Sequence, residues 1–551
     1  MRSALAASGR TLARAVALAR LATGLPAYAR RPLTVTGAAD AVQRRLAARE
    51  DTFLAAVQQR VYAHAGSPYR RLLQWAGCEY ADLTALVRRH GLEGALERLR
   101  DAGVYVSHAE LSGSQPLCRA GLTLAVGPGD FDNPQHGAAS LRGSTSGSRS
   151  EGIRVVYTWD FLAEEVANEL LLRAVHEVAA APLGYWMPAL PALSGMHNAL
   201  LDIGAGRPPV RWFSQVEPLA RGGGAGGATR SLLRAAQAYV LWSARRAGAA
   251  VAWPEFTPLW AADRVARWLD ERRRAHGSVV LKAFTSSTVR VAAAARARDI
   301  DLRGAVVFTG GEPLSPRRRA FIESSGATAL PRYVTTEAGL MAGACPARRA
   351  SDDMHVYLDR LAVVAGAGAG SDGAATLLVT SLSPHAGKIL LNADLGDVGR
   401  LDTHTCGCRF GALGYHVHLA AVRGYDKLTA EGMTVPTEEL EAIVGGIVAS
   451  AGGGPDDFQF WDDEDEAGLA RLLIAIAPTV PGLAADGFAG AVLDQLRLRH
   501  LRGILTAQVW EQAQLIRVVR QPPDVSPGQK LLRRIRIPAR YAGGFSATTG
   551  R

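Results

Sequence analysis

AVVFTGGEPLSPRRRAFIESSGATALPRYVTTEAGLM, residues 305–341, decides the fold class. The apolar run AVVFTG reads as a buried strand. It ends in Gly310-Gly311-Glu312-Pro313, and a helix candidate, SPRRRAFIESSG, follows. Paired glycines at the end of a strand let backbone approach a flat ligand closely. The same alternation extends outward on both sides. Helix candidates are FLAEEVANELLLRAVHEVAA, LWAADRVARWLDERRRA and STVRVAAAARA. Strand candidates are SVVLKAF, ATLLVTSL and KILLNA. Strands interleaved with helices predict an α/β chain whose sheets are covered by helices.

The flanks read differently. Residues 1–110 read as a mostly helical leader region (FLAAVQQRVYAH, YADLTALVRRHG, LEGALERLRDAG). The first 31 residues carry arginine and alanine without an acid, which fits an amphipathic first helix or a transit peptide. RGGGAGGATR at 221–230 carries no lysine and follows no strand, so it is expected to be a flexible loop. AGAGAGSDGA reads as a turn between strands. After about residue 424 the pattern restarts: TEELEAIVGGIV, FQFW, the acidic turn DDEDEAG, LARLLIAIA, one helix through AADGFAGAVLDQLRLRHLRG, then LIRVVR. The expected division is 1–424 for a large N-terminal domain and 425–551 for a small α+β domain.

Composition bounds the class. The chain has 551 residues, 48% hydrophobic and 21% charged, which excludes a largely disordered protein. No long uncharged apolar stretch predicts a membrane span. The formal charge is +11, yet only Lys282, Lys388, Lys427 and Lys530 among the 62 basic residues are lysines. The arginines are spread along the chain without dense basic blocks, so no nucleic-acid partner is expected. In such a chain a lysine marks a place where a compact point charge serves better than a fork. Five cysteines are too few for a disulfide framework and fit a reducing cytoplasm. Cys78 and Cys118 read as packing residues.

Further motifs carry chemistry. LRGSTSGSRSEGIRVVYTWD surrounds Gly143 and Gly147 with Ser144, Thr145, Ser146 and Ser148, and such a loop can wrap phosphate oxygens or be a polar turn. LPRYVTTEAGLM offers Tyr333 as an aromatic face, Thr336 as a hydroxyl and Glu337 as a carboxylate. In NADLGDVGRLD, Asp397 suits ribose hydroxyls. VSPGQKLLRRIRI places Lys530 after a Pro-Gly turn.

In this order and at these intervals the motifs resemble the adenylate-forming (AMP-binding) superfamily. Gly147 followed by Tyr157-Thr158, and the stretch TSSTVRVAAAARARDIDLRGAVVFTGGEPLSP, are similar to its phenylacetate–coenzyme A ligase-like branch, which includes coenzyme F390 synthetase. The resemblance covers roughly residues 115–535. It implies a large adenylate-forming domain and a small mobile C-terminal domain. It implies that Ser144, Thr145, Ser146 and Ser148 hold ATP phosphates, and that Gly310, Gly311, Glu312 and Pro313 border the adenine. Tyr333 would stack on the base, Thr336 would contact the α-phosphate, Glu337 would bind Mg²⁺ and Asp397 would take the ribose. Lys530 would reach the carboxylate and the bridging oxygen. The sequence departs from the family at Ser150-Glu151, at Val334 and at the hinge, which reads Arg423-Gly424-Tyr425-Asp426-Lys427.

The branch also implies a structural Zn²⁺ held by Cys345, His355, Cys406 and Cys408. Thiolates and imidazole suit that ion. His404, His416 or His418 could replace His355, and free cysteines are the plain alternative. The activity implied is ATP-dependent adenylation of a carboxylic acid, an aryl acid by family analogy, then transfer to a thiol of coenzyme A. The apolar stretch with Trp186, Met187 and His197 lines an acid pocket or belongs to the core. Alternatives are a carrier-protein or amine acceptor, a different oxyanion such as nitrite, and a non-catalytic nucleotide-binding homologue.

Overall fold

The structure is a computed structural model describing residues 23–30, 32–135, 141–144, 154–190, 192–217, 227–367, 373–425, 427–481, 485–499, 501–524 and 534–536. A twelve-stranded sheet forms its body. One half is parallel: Thr328–Thr335, Ala305–Gly310, Val279–Phe284, Leu183–Trp186, Arg211–Ser214 and Pro254–Phe256, in that spatial order. The other half runs Gly339–Ala344, Met354–Val356, Val417–Gly424, Ala393–Thr403, Ala375–Ser381 and Leu361–Ala365, all antiparallel. Parallel strands need helical crossovers, which cover both faces. Accordingly all six residues of Val279–Phe284 are buried.

The opening motif folds as read. Ala305–Gly310 is a strand, and helix Pro316–Glu323 starts with proline in its first turn and the Ser315 hydroxyl accepting from Arg318 N (3.3 Å). Between them Gly311 has φ +76°, and a Cβ there would stand 2.8 Å from the Phe284 ring.

Helix Trp159–Val175 and helix Leu193–Gly204 bring buried charge against the sheet. Lys282 Nζ lies 2.8 Å from Glu169 and 2.6 Å from Asp202, and Arg332 reaches Glu169 (2.9 Å) and Asn198 (2.9 Å). Lys282, Glu169 and Asp202 are fully buried. Burial opposes ionisation of Glu169, but Lys282 and Arg332 outweigh it and hold the carboxyl at about 2. Removing one partner from such a network is costly, because it leaves a buried charge without its counter-charge.

After Gly424 the chain leaves the large sheet. Lys427–Ala430 and Met433–Pro436 form a hairpin, and helix Thr437–Ser450 follows. A four-stranded sheet then runs Ile516–Arg520, Ala470–Ile476, Phe458–Glu464 and Arg534–Arg536. Its acidic turn docks on the arginine-rich start of helix Pro316–Glu323. Arg318 donates to Gly468 O (2.7 Å) and Pro313 O (3.1 Å), and lies 3.4 Å from Glu464.

Some local expectations are corrected. KILLNA is irregular apart from a bridge between Lys388 and Asp132; strand pairing begins only at Ala393. The C-terminal domain has a second helix, Leu501–Ala513, after Ala485–Arg499, so its order is not one helix between strands. From Gly227 the glycine-rich stretch is already helix, Gly227–Arg246. Cys118 is exposed on a short strand and packs no core, whereas Cys78 is buried. In the leader, Tyr80–Asp101 is one helix interrupted at Gly91 (φ 70°).

Candidate functional site

The third motif makes a tight reversal between antiparallel strands. Thr328–Thr335 pairs with Gly339–Ala344, with a register shift at Tyr333/Val334. Thr335 Oγ1 accepts from Ala338 N (3.1 Å), and Gly339 takes φ +71°. Tyr157 clamps the turn from below, its hydroxyl donating to Thr336 O (2.8 Å). The turn therefore presents Thr336 and Glu337 at the carboxyl end of the parallel strands, where open α/β sheets bind ligands.

Asp397 comes to the same place from strand Ala393–Thr403. Tyr333 Oη donates to Asp397 Oδ2 (2.8 Å), and Lys427 Nζ lies 2.8 Å from Asp397 Oδ1. Glu337 is buried beside them. Burial pushes its carboxyl above the ordinary range, while Lys427 and His108 pull it back. The Tyr333 hydroxyl is also pushed up, by burial and then by Asp397.

Gly310 and Gly311 end the neighbouring parallel strand, and the Glu312 side chain after them is bound elsewhere. Its carboxylate accepts from Ser286 N (3.0 Å), Ser286 Oγ (3.0 Å) and Gly432 N (2.6 Å), and Arg318 lies 3.5 Å away. Glu312 thus ties the glycine turn to the hairpin. Gly432 (φ +70°) permits this approach, since a Cβ would meet the Phe284 ring at 2.2 Å. Pro313 is exposed.

Thr145, Ser146, Ser148 and Lys530 lie outside the described residues, as does the side chain of Ser144. Trp186, Met187 and His197 are buried. His197 Nε2 lies 2.7 Å from Glu165 and its ring stacks on Tyr157 at 4.9 Å, so it buttresses the clamp under Thr336. Two groups at the site, Lys427 and His108, were not read as site residues in the sequence. Lysine scarcity marked the first. For the second the signal was the capping box in Ser107-His108-Ala109-Glu110, which ends the leader in an ordered turn.

A second cluster lies at the other end of strand Gly339–Ala344. Cys345, His355, Cys406 and Cys408 put one ligand atom each within 4.8 Å of all the others. Sulfur separations are 3.7 Å (Cys345–Cys406) and 3.2 Å (Cys406–Cys408). Two thiolates on one tetrahedral zinc sit about 3.8 Å apart. His355 Nδ1 donates to Tyr415 O (2.9 Å), which leaves Nε2 as the bare nitrogen, 3.3 Å and 3.2 Å from the sulfurs of Cys406 and Cys408. Donation from Cys345 outweighs burial and pulls the Cys408 thiol down to about 3. The donor set fits zinc. His404 and His418 are engaged by Asp402 and Asp353, and His416 by Gly414 O. Cys345, Asp353 and His418 form a second, overlapping group.

Neither a family model nor a curated protein matches the chain. Among solved structures, 2-hydroxyisobutyryl-CoA ligase in complex with 2-HIB-AMP and CoA in the thioesterification state is similar with a TM-score of 0.50 and 16% identity, covering 93% of this chain and 92% of that one. The same ligase in the postadenylation state with R3-HIB-AMP gives 0.42 and 17%, over 89% and 90%. The amide bond synthetase McbA from Marinactinospora thermotolerans gives 0.39 and 15%, over 88% and 92%. The first likeness runs nearly the whole length of both chains: the protein has the adenylate-forming ligase fold.

Proposed function

We propose that this protein is an AMP-forming ligase of the phenylacetate–coenzyme A ligase-like branch. It joins a carboxylic acid, favoured as an aryl acid, to AMP with release of pyrophosphate. It then passes the acyl group to a thiol, that of coenzyme A. The observation that carries the reading is the meeting of Tyr333 and Asp397 from distant strands, with Glu337 buried beside them. The full-length likeness to a ligase solved with an acyl adenylate and CoA supports it.

The residue types suit the chemistry. A carboxylate approaching the α-phosphorus brings negative charge toward negative charge, so the site must supply cations, fixed donors and in-line alignment. Tyr333 packs on the adenine and Asp397 accepts from the ribose. Thr336 donates to the α-phosphate, and the serine-threonine loop, Ser144 to Ser148, wraps the outer phosphates. Glu337 would hold Mg²⁺, which neutralises phosphate charge when bound. Lys530 contacts the attacking carboxylate and the bridging oxygen. The C-terminal domain (425–551) turns about the segment 423–427 between the two steps. Cys345, His355, Cys406 and Cys408 hold a structural zinc away from the reaction. Four protein ligands leave it no open position.

Pyrophosphate release, screened over aryl, fatty and amino acids with and without coenzyme A, tests the reading. Acid-dependent release with coenzyme A-dependent turnover is expected. Release without thioester formation favours an amine or carrier-protein acceptor, and nucleotide binding without release from any acid overturns the enzyme.

A further inference from the structure

The leader does more than cover the sheet. Its last turn is stitched to the strand that carries Asp397: Val106 N donates to Asn392 O (3.1 Å) and Asp394 N to Val106 O (2.8 Å). Ser107 and Glu110 cap the turn reciprocally, with Ser107 N donating to Glu110 Oε2 (2.8 Å) and Glu110 N to Ser107 Oγ (3.3 Å). His108 is thereby fixed over Gly396, the neighbour of Asp397. A Cβ on Gly396 would lie 3.4 Å from His108 Cγ, 3.4 Å from Nδ1 and 3.5 Å from Cδ2, so the ring lies face-on to the backbone. Gly396 takes φ +80°, a conformation that admits this approach.

Nδ1 of His108 is buried and has no hydrogen-bond partner among the described residues. A buried ring nitrogen without a partner is costly unless a ligand supplies one. The ring stands in the neighbourhood of Glu337 as well as Asp397. In the nucleotide reading above, on which this inference rests, Tyr333 takes the base and Asp397 the ribose. The groups on the Glu337 side are left facing phosphate.

We propose that His108 is a nucleotide-positioning residue, its Nδ1–H donating to a phosphate oxygen of the bound nucleotide. A donor on a rigid, capped turn costs little ordering when the nucleotide arrives. It also adds a protein donor at the phosphate end that the sequence motifs do not contain.

Equilibrium binding of AMP and of adenosine to the full chain tests this, with His108→Phe and His108→Gln compared to wild type. Phenylalanine keeps a flat ring over Gly396 without the donor; glutamine keeps a donor. AMP affinity should fall about ten- to hundredfold in His108→Phe, the range for a hydrogen bond to a charged group. Adenosine affinity should change less than about threefold, and His108→Gln should recover part of the loss. Equal losses for AMP and adenosine, or no loss in His108→Phe, overturn the assignment while leaving the ligase reading intact. Wild-type protein that binds neither AMP nor adenosine overturns both.

Discussion

Glu337 and its neighbours show how single residues set the behaviour of the site. Burial raises its carboxyl, and Lys427 is the foremost cation pulling it back. In the proposed role Glu337 would hold Mg²⁺ only in its ionised form. As pH falls through the raised value the carboxyl takes up a proton and the ligand is lost. The acid limb of kcat/KM should therefore lie above the ordinary glutamate value, about 4.3. Lys427→Met should move that limb to higher pH, because a stabilising cation is gone; Glu337→Gln should abolish Mg²⁺-dependent activity. A pH–rate profile of the three proteins checks both, and an unmoved limb in Lys427→Met removes the lysine from the site's electrostatics. Lys282 acts on stability instead. Lys282→Ala leaves Glu169 and Asp202 buried without their shared cation, and a loss of about 3–5 kcal/mol is expected in urea unfolding.

Among the elements, the hairpin Lys427–Ala430/Met433–Pro436 joins the C-terminal domain to the glycine turn through Gly432 N and Glu312. Gly432→Val requires a β-branched residue at φ +70° against Phe284, and should expose the linker at 423–427 to limited proteolysis. Unchanged cleavage would mean the contact holds nothing together. The cluster of Cys345, His355, Cys406 and Cys408 joins three segments at one end of the antiparallel half. Protein purified without a metal-binding tag should carry one zinc per chain, and Cys406→Ser should lose it and lower the melting temperature; less than a trace of zinc in the wild type contradicts the site. Elements with a strong period or punctuation were legible in the sequence. Val279–Phe284, Ala305–Gly310 and helix Pro316–Glu323 announce themselves by apolar runs, paired glycines and Ser-Pro. KILLNA misled because an apolar run is buried equally well as irregular chain: Leu390 and Leu391 are core residues without a strand. Helix Leu501–Ala513 was hidden because LRGILTAQVW reads as a continuation of the helix before it. Glu312 was legible as a motif residue, but its partner Gly432, 120 residues on, is set by tertiary docking that spacing does not encode.

At the scale of the molecule, a polar seam is one of the contacts between the large sheet's domain and the C-terminal domain, beside Gln512 bound to Leu259 N and Gln215 O. Arg318 links the glycine turn to Gly468 and Glu464, and Arg317 donates to Asp465 O (3.1 Å). These arginines donate mainly to backbone carbonyls of the acidic turn, a polar contact that the proposed change of domain position between the two half-reactions would have to break and remake. Small-angle scattering should show Arg318→Ala with a larger radius of gyration than wild type; equal radii would mean other contacts hold the domain. In the proposed reaction these distant segments form one pocket in which a carboxylate attacks the α-phosphorus of ATP. Exchange of labelled pyrophosphate into ATP by the full chain, with the acid varied, measures that step directly. Exchange should depend on a carboxylic acid and fall by about 10²–10³ in Lys530→Ala. No acid-dependent exchange, or exchange undiminished in Lys530→Ala, would contradict it.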